Sequence, residues 1–327
     1  MRDAAIAGVG GSVPPTVVTN AELAARIDSS DEWITSRTGI RQRHVVEPGT
    51  ATSDLAVEAG SRALKSAGCD TVDVVVLATT TPDHSCPATA PAVSSRLGLS
   101  GVAAFDVNAV CSGFLYGLAV ASSMIRSGTA SSALLIAADT FSTIVDPDDR
   151  ATAFLFGDGA GAVVLRAADH GEPGVLLDVE LGSDGTMADL IIVRAGGSRL
   201  PESAEPADRF FAMQGQSVYR HAVARMTAAT RSVLDRVAWT PADVDRFVGH
   251  QANSRILQAT ADRLGIPEER VIMNLDRVGN TAAASIPLAL ADAAAEGTLR
   301  AGDRIALAAF GGGTTWGAAA LTWPELR

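Results

Sequence analysis

The chain has 327 residues, 47% of them hydrophobic, and a formal net charge of −11 at pH 7. The length suits one large domain or two of ordinary size, and the acidic balance argues against nucleic acid as a partner. Three cysteines without a CxxC pair or zinc spacing argue against a disulfide framework and a metal centre, and no apolar run is long enough to span a membrane, so we expect a cytoplasmic protein.

Strands and helices alternate along the chain, a pattern typical of the α/β class. The N-terminal stretch MRDAAIAGVGGSVPP is interrupted too early by Gly and Pro for a secretory signal, and it predicts a first strand. Further strands are predicted at residues 72–80, 101–107, 132–140, 159–167, 244–250 and 303–311. These runs are nearly continuously apolar, as is typical of buried strands that helices cover.

The second half of the chain repeats features of the first. One segment in each half is predicted to form a helix end, a turn and an apolar strand: KSAGCDTVDVVVLA in the first half and DRVAWTPADVDRFVGH in the second. Cys111 and Asn280 each begin a helix that a glycine ends 17 residues later (128 − 111 and 297 − 280). The sequence therefore predicts two related α/β halves, 1–170 and 171–327, which divide within AADHGEPG near residues 167–173. If the halves pair symmetrically, Cys111 and Asn280 face one another at equivalent helix starts.

Cys111 lies at the junction between the apolar strand GVAAFDV and the helix that follows it. The first turn of a helix has unpaired N–H groups and the positive end of the helix dipole. A thiol placed there is expected to ionise more easily, and the thiolate is the nucleophilic form. A small buried residue that serves packing alone would fit the same position, as most free cysteines do.

A nucleophilic cysteine needs a base or a hydrogen-bond donor from elsewhere in the chain. His250 ends an apolar strand and enters HQANSRI, and open α/β sheets bind their ligands at the carboxyl ends of strands. A core histidine would fit this position equally well. The other histidines, His44, His84, His170 and His221, read as surface or packing residues.

Two later motifs could complete such a site. Asn280 in VGNTAAASIP follows a glycine and precedes small residues, as if another group approached the backbone closely, although an ordinary helix N-cap would also favour Asn. FGGGTTWG, residues 310–317, exposes backbone N–H groups of the kind that an oxyanion hole requires, although a flexible hairpin would look the same. A phosphate-binding loop is disfavoured because the Walker Lys is absent.

Six motifs, in their order along the chain, resemble those of β-ketoacyl-acyl carrier protein synthase III, an initiating condensing enzyme of the thiolase-like family. The motifs are DEWITSRTGIRQRH, AVCSGFLYGL, FGDGAGAVVL, HQANSRIL, GNTAAASIP and FGGGTTWG. The resemblance covers essentially the whole chain. It implies a thiolase-like five-layered αβαβα fold of two duplicated halves, a homodimer, and a Cys-His-Asn active site.

The resemblance implies the following catalytic roles. Cys111 matches the nucleophile that accepts an acyl group from acyl-coenzyme A (acyl-CoA), and His250 and Asn280 match the pair that handles the malonyl thioester. Gly312 matches the oxyanion donor that acts together with the N–H of Cys111. The implied reaction is a decarboxylating condensation of the acyl-CoA primer with malonyl-acyl carrier protein, without a metal or redox cofactor.

The resemblance also implies binding residues. Positions that hold coenzyme A (CoA) correspond to Trp33, Arg37, Arg150 and Asn253, and an indole that stacks on a base and a guanidinium that grips phosphate suit that task. A patch that docks the acidic carrier protein corresponds to Arg220, Arg255 and Arg263, although these side chains would equally suit solvated helix faces.

Other reactions remain open at this point. A priming enzyme of polyketide or other specialised metabolism would keep every motif, and an acyltransferase to another carbon, oxygen or nitrogen nucleophile could use the same scaffold. A Cys-dependent thioester hydrolase leaves Trp33 and Arg150 unexplained, and an inactive partner subunit would lack Cys111. Cys86 occupies an acyl-pocket position where acetyl-specific relatives often carry Phe, so we expect a primer larger than acetyl unless the segment 182–211 fills the gap.

Overall fold

The computed structural model describes residues 2–326. Its strands are β1 (Asp3–Ser12), β2 (Thr16–Thr19), β3 (Gln42–Val45), β4 (Val74–Ala78), β5 (Ala103–Val107), β6 (Ser132–Asp139), β7 (Gly159–Ala168), β8 (Leu176–Ser183), β9 (Ile191–Val193), β10 (Phe211–Met213), β11 (Arg246–Gly249), β12 (Arg304–Gly311) and β13 (Thr315–Thr322). Its helices are α1 (Asn20–Ile27), α2 (Asp31–Thr38), α3 (Thr52–Ala67), α4 (Ala90–Arg96), α5 (Gly113–Arg126), α6 (Gly215–Arg236), α7 (Ser254–Leu264), α8 (Leu275–Val278) and α9 (Ser285–Ala295). Every strand predicted from an apolar run is present.

Two sheets form the frame of the molecule. The first has the order β1-β7-β6-β4-β5, and β4 runs parallel to both β5 and β6. The second has the order β11-β12-β13-β8, and β11 runs parallel to β12. The chain passes from the first sheet to the second between β7 and β8, within the segment whose composition predicts a loop.

The layers follow from strands whose side chains are buried on both faces. In β12, Leu307 and Ala309 face the core that contains α5 and α9, whereas Ala308 and Phe310 face the core that contains α6 and α7. The first sheet packs its other face against α3, in a core that includes Leu77 of β4. The order is therefore α3 and α4, first sheet, α5 and α9, second sheet, α6 and α7, which confirms the predicted five-layered αβαβα fold.

None of the helices within residues 2–326 combines the length and the apolar composition that crossing a membrane would require.

Candidate active site

Cys111 is the middle residue of a 3₁₀ turn, Val110–Ser112, that connects β5 to the start of α5. Val110 has a φ of 47°, a left-handed conformation that is costly for a β-branched residue. The turn is fastened to the second half of the chain, because the Ser112 hydroxyl donates to the Thr315 carbonyl over 3.1 Å and the Thr315 hydroxyl donates to the Ala109 carbonyl over 2.9 Å. The cysteine thus sits on a strained turn held between the halves.

The environment of the Cys111 thiol contradicts the expected easy ionisation. The side chain is only 8% exposed, and burial raises the pKa of the thiol to about 12, with the nearby charge of Asp139 acting in the same direction. Desolvation penalises the charged form more than the helix start favours it. Cys111 is therefore a neutral thiol at pH 7, and its deprotonation has to accompany the reaction.

His250 follows β11 directly and is 3% exposed. Its main-chain N–H donates to the Ala308 carbonyl over 2.8 Å, and its ring Nδ1 lies 2.6 Å from the Ser285 hydroxyl oxygen. Burial lowers the pKa of the imidazole to about 3, so the ring is neutral at physiological pH. The Ser285 oxygen also accepts the N–H of Gln251 over 3.2 Å, and its own proton can then be donated to Nδ1.

The backbone of Asn280 is bound to the segment 155–157 of the first half. Its N–H donates to the Leu155 carbonyl over 2.9 Å, and its carbonyl accepts from the N–H of Gly157 over 3.0 Å. Position 157 must be glycine, because a Cβ there would lie 2.2 Å from the Val278 carbonyl oxygen. The Asn280 Oδ1 accepts the N–H of Ala282 over 3.0 Å, which leaves the Nδ2 group free to donate.

The expected equivalence of Cys111 and Asn280 is wrong in its register. The matching 3₁₀ turn in the second half is Ala282–Ala284, whose first residue has a φ of 48°, close to that of Val110. The counterpart of Cys111 is therefore Ala283, and Asn280 precedes its turn by two residues. The two helix starts do meet, since a Cβ on Gly113 would lie 3.3 Å from the Ala283 Cβ.

The glycine-rich motif forms the tight turn between β12 and β13. A Cβ on Gly312 would lie 3.2 Å from a methyl group of Val110, so this residue borders the Cys111 turn. Gly311 approaches more closely, because a Cβ there would lie 2.8 Å from the backbone nitrogen of Cys111. The sequence motif points to Gly312 alone, and the close approach of Gly311 follows from the packing of β12 against the turn.

A cleft of about 680 Å³ reaches Asn280, whereas Cys111, His250 and Gly312 are not among its lining residues. It brings together Asn280 with five of the predicted binding residues: Trp33, Arg37, Asn253, Arg220 and Arg255. The Trp33 side chain is 41% exposed, and the Arg37 guanidinium lies 5.9 Å from its ring centroid. An exposed indole among three guanidinium groups suits a ligand that carries an aromatic base and phosphates.

Some predicted residues lie outside this lining. Arg150 is exposed and pairs with Asp28 over 3.3 Å, although its neighbour Ala151 does line the cleft. Arg263 lies in the last turn of α7, and Cys86 is exposed in the loop before α4. Asn253 caps α7 by accepting the N–H of Arg255 over 2.9 Å, and its amide donates to the Arg37 carbonyl over 3.3 Å.

Phenylalanine rings fill much of the space near Cys111. Phe141 stacks on Phe156 with a centroid distance of 4.4 Å, and Phe211 packs edge-on against both rings at 5.2 and 4.9 Å. Cys111 belongs to the same buried cluster, and Ile191 of β9 packs against it. Two residues of the segment 182–211, Ile191 and Phe211, therefore pack in or against the cluster that contains Cys111.

The described residues 2–326 bring no three His, Cys, Asp or Glu side chains together in an arrangement that could hold a metal ion.

The chain matches known proteins along its length. The family model described as 3-oxoacyl-[acyl-carrier-protein (ACP)] synthase III matches residues 105–185, and the C terminal model of the same synthase matches residues 234–323. A Streptomyces coelicolor protein named beta-ketoacyl-[acyl-carrier-protein] synthase III 5 is 60% identical over 324 residues, which cover 98% of this chain and 97% of the relative.

Solved structures give the same picture. The crystal structure of 3-oxoacyl-(acyl carrier protein) synthase III from Pseudomonas aeruginosa matches with a TM-score of 0.94 at 51% identity and covers 100% of both chains. The crystal structure of a priming β-ketosynthase from a polyketide biosynthetic pathway matches with a TM-score of 0.92 at 35% identity, over 99% of this chain and 97% of the other.

Proposed function

This chain belongs to the 3-oxoacyl-[acyl-carrier-protein] synthase III family, and we propose that it condenses an acyl-CoA primer with malonyl-acyl carrier protein, with Cys111 as the acyl carrier. The product is a 3-oxoacyl-acyl carrier protein, which initiates fatty acid or polyketide synthesis. The observation that carries the assignment of residues is the single cleft that Asn280 shares with Trp33 and Arg37. Phe156 lines this cleft and also packs in the buried cluster that contains Cys111, so a thioester bound by its nucleotide end would direct its acyl end toward that cluster.

In the first half-reaction the Cys111 sulfur attacks the thioester carbonyl carbon of acyl-CoA. A carbon–sulfur bond forms to Cys111, the bond to the CoA sulfur breaks, and the thiol proton leaves with the CoA thiolate. The oxyanion of the tetrahedral intermediate accepts the N–H groups of Cys111 and Gly312, which lie on adjoining turns. Removing one such donor typically costs about 10²–10³ in rate.

In the second half-reaction the malonyl thioester loses carbon dioxide. The electron pair of the broken carbon–carbon bond stays on the thioester, which becomes an enolate. Neutral His250 and the Asn280 amide donate to the enolate oxygen, a task that requires donors rather than a base. Ser285 supports this role, because a hydroxyl proton given to Nδ1 leaves the ring proton on Nε2. The enolate carbon then attacks the acyl carbonyl, and the Cys111 thiolate leaves and is reprotonated.

The implied reaction uses an acidic carrier protein, and the positively charged side chains near the cleft are suited to bind such a partner. Arg220 and Arg255 line the wall of the cleft, and Arg263 lies further along α7. Docking on these arginines would place the arm of the carrier protein at the cleft entrance. The same guanidinium groups of Arg220 and Arg255 can also meet the phosphates of CoA when the primer is bound.

A homodimer would give β5 a partner. This strand is the edge of the first sheet, and its residues are exposed or half-buried. Phe105 of β5 and Met124 of the adjacent α5 are partly buried apolar residues beside it. An unpaired apolar edge is a ready surface for strand pairing with a second copy.

The same pairing would bring Cys86 to the interface between the two copies. The Asp106 carboxylate of β5 accepts the N–H groups of Thr89 and Ala90, each over 2.7 Å, so the loop that carries Cys86 is fastened to the edge strand. In a dimer formed along β5 this loop lies at the interface, where the exposed Cys86 can border the acyl pocket of the other copy.

The direct test is mass spectrometry of the protein after incubation with a panel of acyl-CoA thioesters. One acyl group is expected on Cys111, and none on the Cys111→Ala variant. A label on Cys69 or Cys86 of the native protein would refute the assignment. Condensation, rather than release of free acid, excludes a thioester hydrolase.

The division of labour has its own test. Variants His250→Ala and Asn280→Ala are expected to form the acyl-enzyme and to lose malonyl decarboxylation and condensation. The assignment is wrong if either variant abolishes acylation while decarboxylation persists.

A further inference from the structure

Asp139, the last residue of β6, is a fully buried carboxylate to which the reaction above gives no part. One of its oxygens accepts the N–H of Thr80 over 2.7 Å and the N–H of Thr81 over 3.3 Å. The other oxygen accepts the N–H of Ala283 over 3.0 Å. The first two donors belong to the half that carries Cys111, and the third belongs to the half that carries Asn280.

The bond to Ala283 lies within the turn that orients Asn280. The N–H of Ala282 binds the side-chain oxygen of Asn280, and the next N–H, that of Ala283, binds Asp139. Two consecutive amides therefore hold the Asn280 side chain and anchor the turn to β6. Ala282 has a φ of 48°, so the turn is strained and requires such an anchor to keep its conformation.

A neutral side chain cannot make all of these bonds. The N–H groups of Thr80, Thr81 and Ala283 are fixed donors, and the first oxygen also accepts the hydroxyls of Thr79 and Thr81 over 3.3 Å each. Both carboxylate oxygens are therefore occupied as acceptors. An amide in place of the carboxylate has one acceptor oxygen and would direct an NH₂ group at a donor on one side. Burial of a carboxylate is costly unless its hydrogen bonds compensate, so a charged group at this position needs a specific use.

We propose that Asp139 is a positioning residue that clamps the Asn280 turn to the Cys111 half and so orients the Asn280 amide for the malonyl half-reaction. The proposal rests on the function proposed above. It predicts a selective effect, because the clamp acts on Asn280 and not on the acylation chemistry of Cys111.

The test separates the two half-reactions in the variant Asp139→Asn. Decarboxylation of a malonyl thioester is expected to fall about tenfold or more, the scale of one lost charge-assisted hydrogen bond. Acylation of Cys111, followed by mass spectrometry, is expected to be no slower than in the native protein. Alkylation of Cys111 by iodoacetamide at a fixed pH is expected to be faster, since a negative charge near the thiol has been removed.

Asp158→Asn is the matched control for loss of a buried charge. Asp158 is equally buried and follows Gly157, whose N–H binds the Asn280 carbonyl. Its carboxylate accepts the N–H of Val46 over 2.8 Å and the N–H and hydroxyl of Ser142, but no amide of the turn that holds the Asn280 side chain. The ratio of the two half-reactions should stay at the native value in this variant. The proposal is overturned if Asp139→Asn loses both half-reactions equally or loses neither. It is also overturned if Asp158→Asn changes the ratio of the two half-reactions as much as Asp139→Asn does.

A measurement on the native protein keeps the proposal testable if Asp139→Asn does not fold. The Ala283 amide is expected to exchange with deuterium as slowly as the amides of β6, and rapid exchange would refute the clamp. If the native protein itself fails to acylate Cys111 or to decarboxylate the malonyl thioester, the proposed function fails. If the native protein performs both steps, the results for Asp139→Asn test the role of Asp139 alone.

Discussion

The closest backbone approach at the candidate oxyanion site makes Gly311→Ala an informative perturbation. A Cβ at this position would lie 2.8 Å from the Cys111 nitrogen, 3.0 Å from the Ser112 nitrogen and 3.1 Å from the Ala109 oxygen. All three are backbone atoms, so no side chain can rotate away. Ordinary contact begins at 3.4 Å, and the strand and the turn must therefore separate by about 0.6 Å (3.4 − 2.8).

The displacement converts into measurable losses. Overpacking of this kind typically costs about 1–3 kcal/mol of stability. A misplacement of about 1 Å can cost about 10²-fold in rate, so the acylation rate of Cys111 is expected to fall roughly ten- to hundredfold. The assay is single-turnover acylation by acyl-CoA, followed by mass spectrometry of the Cys111 peptide, with thermal unfolding measured alongside.

Gly312→Ala is the matched control. Its Cβ would meet methyl groups of Ile191 at 3.1 Å and Val110 at 3.2 Å, which are ends of side chains that need to move only about 0.3 Å (3.4 − 3.1). Alanine keeps the N–H donor in both variants, so they differ in space rather than in hydrogen bonding. The reasoning is refuted if Gly312→Ala slows acylation as much as Gly311→Ala, or if Gly311→Ala acylates at the native rate.

Three further outcomes are expected. Because the pKa of Cys111 is raised to about 12, only its thiolate fraction limits alkylation, and the iodoacetamide rate should rise about 100-fold from pH 7 to pH 9; a plateau below pH 9 contradicts this. Trp33→Ala should raise the KM for acyl-CoA through the loss of roughly 1–3 kcal/mol of stacking, and Arg150→Ala should raise the KM less because that guanidinium is exposed and already paired. Unchanged KM values in a steady-state assay would remove both residues from the CoA site. Two extra methylenes of primer, at about 0.8 kcal/mol each, should favour a longer acyl-CoA over acetyl-CoA about tenfold in kcat/KM, and Cys86→Phe should reverse that preference in part; highest kcat/KM for acetyl-CoA, unmoved by the substitution, would count against it.

Local pattern was sufficient for the strands and the α/β class, whereas the five-layered arrangement was expected only from the resemblance that the motifs carry. The strand segments 74–78 and 305–310 are buried on both faces, so every position along them is apolar, and a run of that kind is visible without knowledge of its neighbours. The loop composition near residues 167–173 marks the passage from β7 to β8. Motif order also places Asn280, Trp33 and Arg37, which the structure brings to one cleft.

Tertiary structure decided what depends on contacts between distant segments. The raised pKa of Cys111 comes from burial by both halves, and the helix start visible in the sequence predicts the opposite direction. The tight fit of Gly311 and the clamp at Asp139 each join residues more than 100 positions apart, and neither has a periodic or compositional signature. Helix and strand patterns record whether a residue faces a core, whereas the charge state and orientation of a catalytic group depend on which particular atoms the fold places against it.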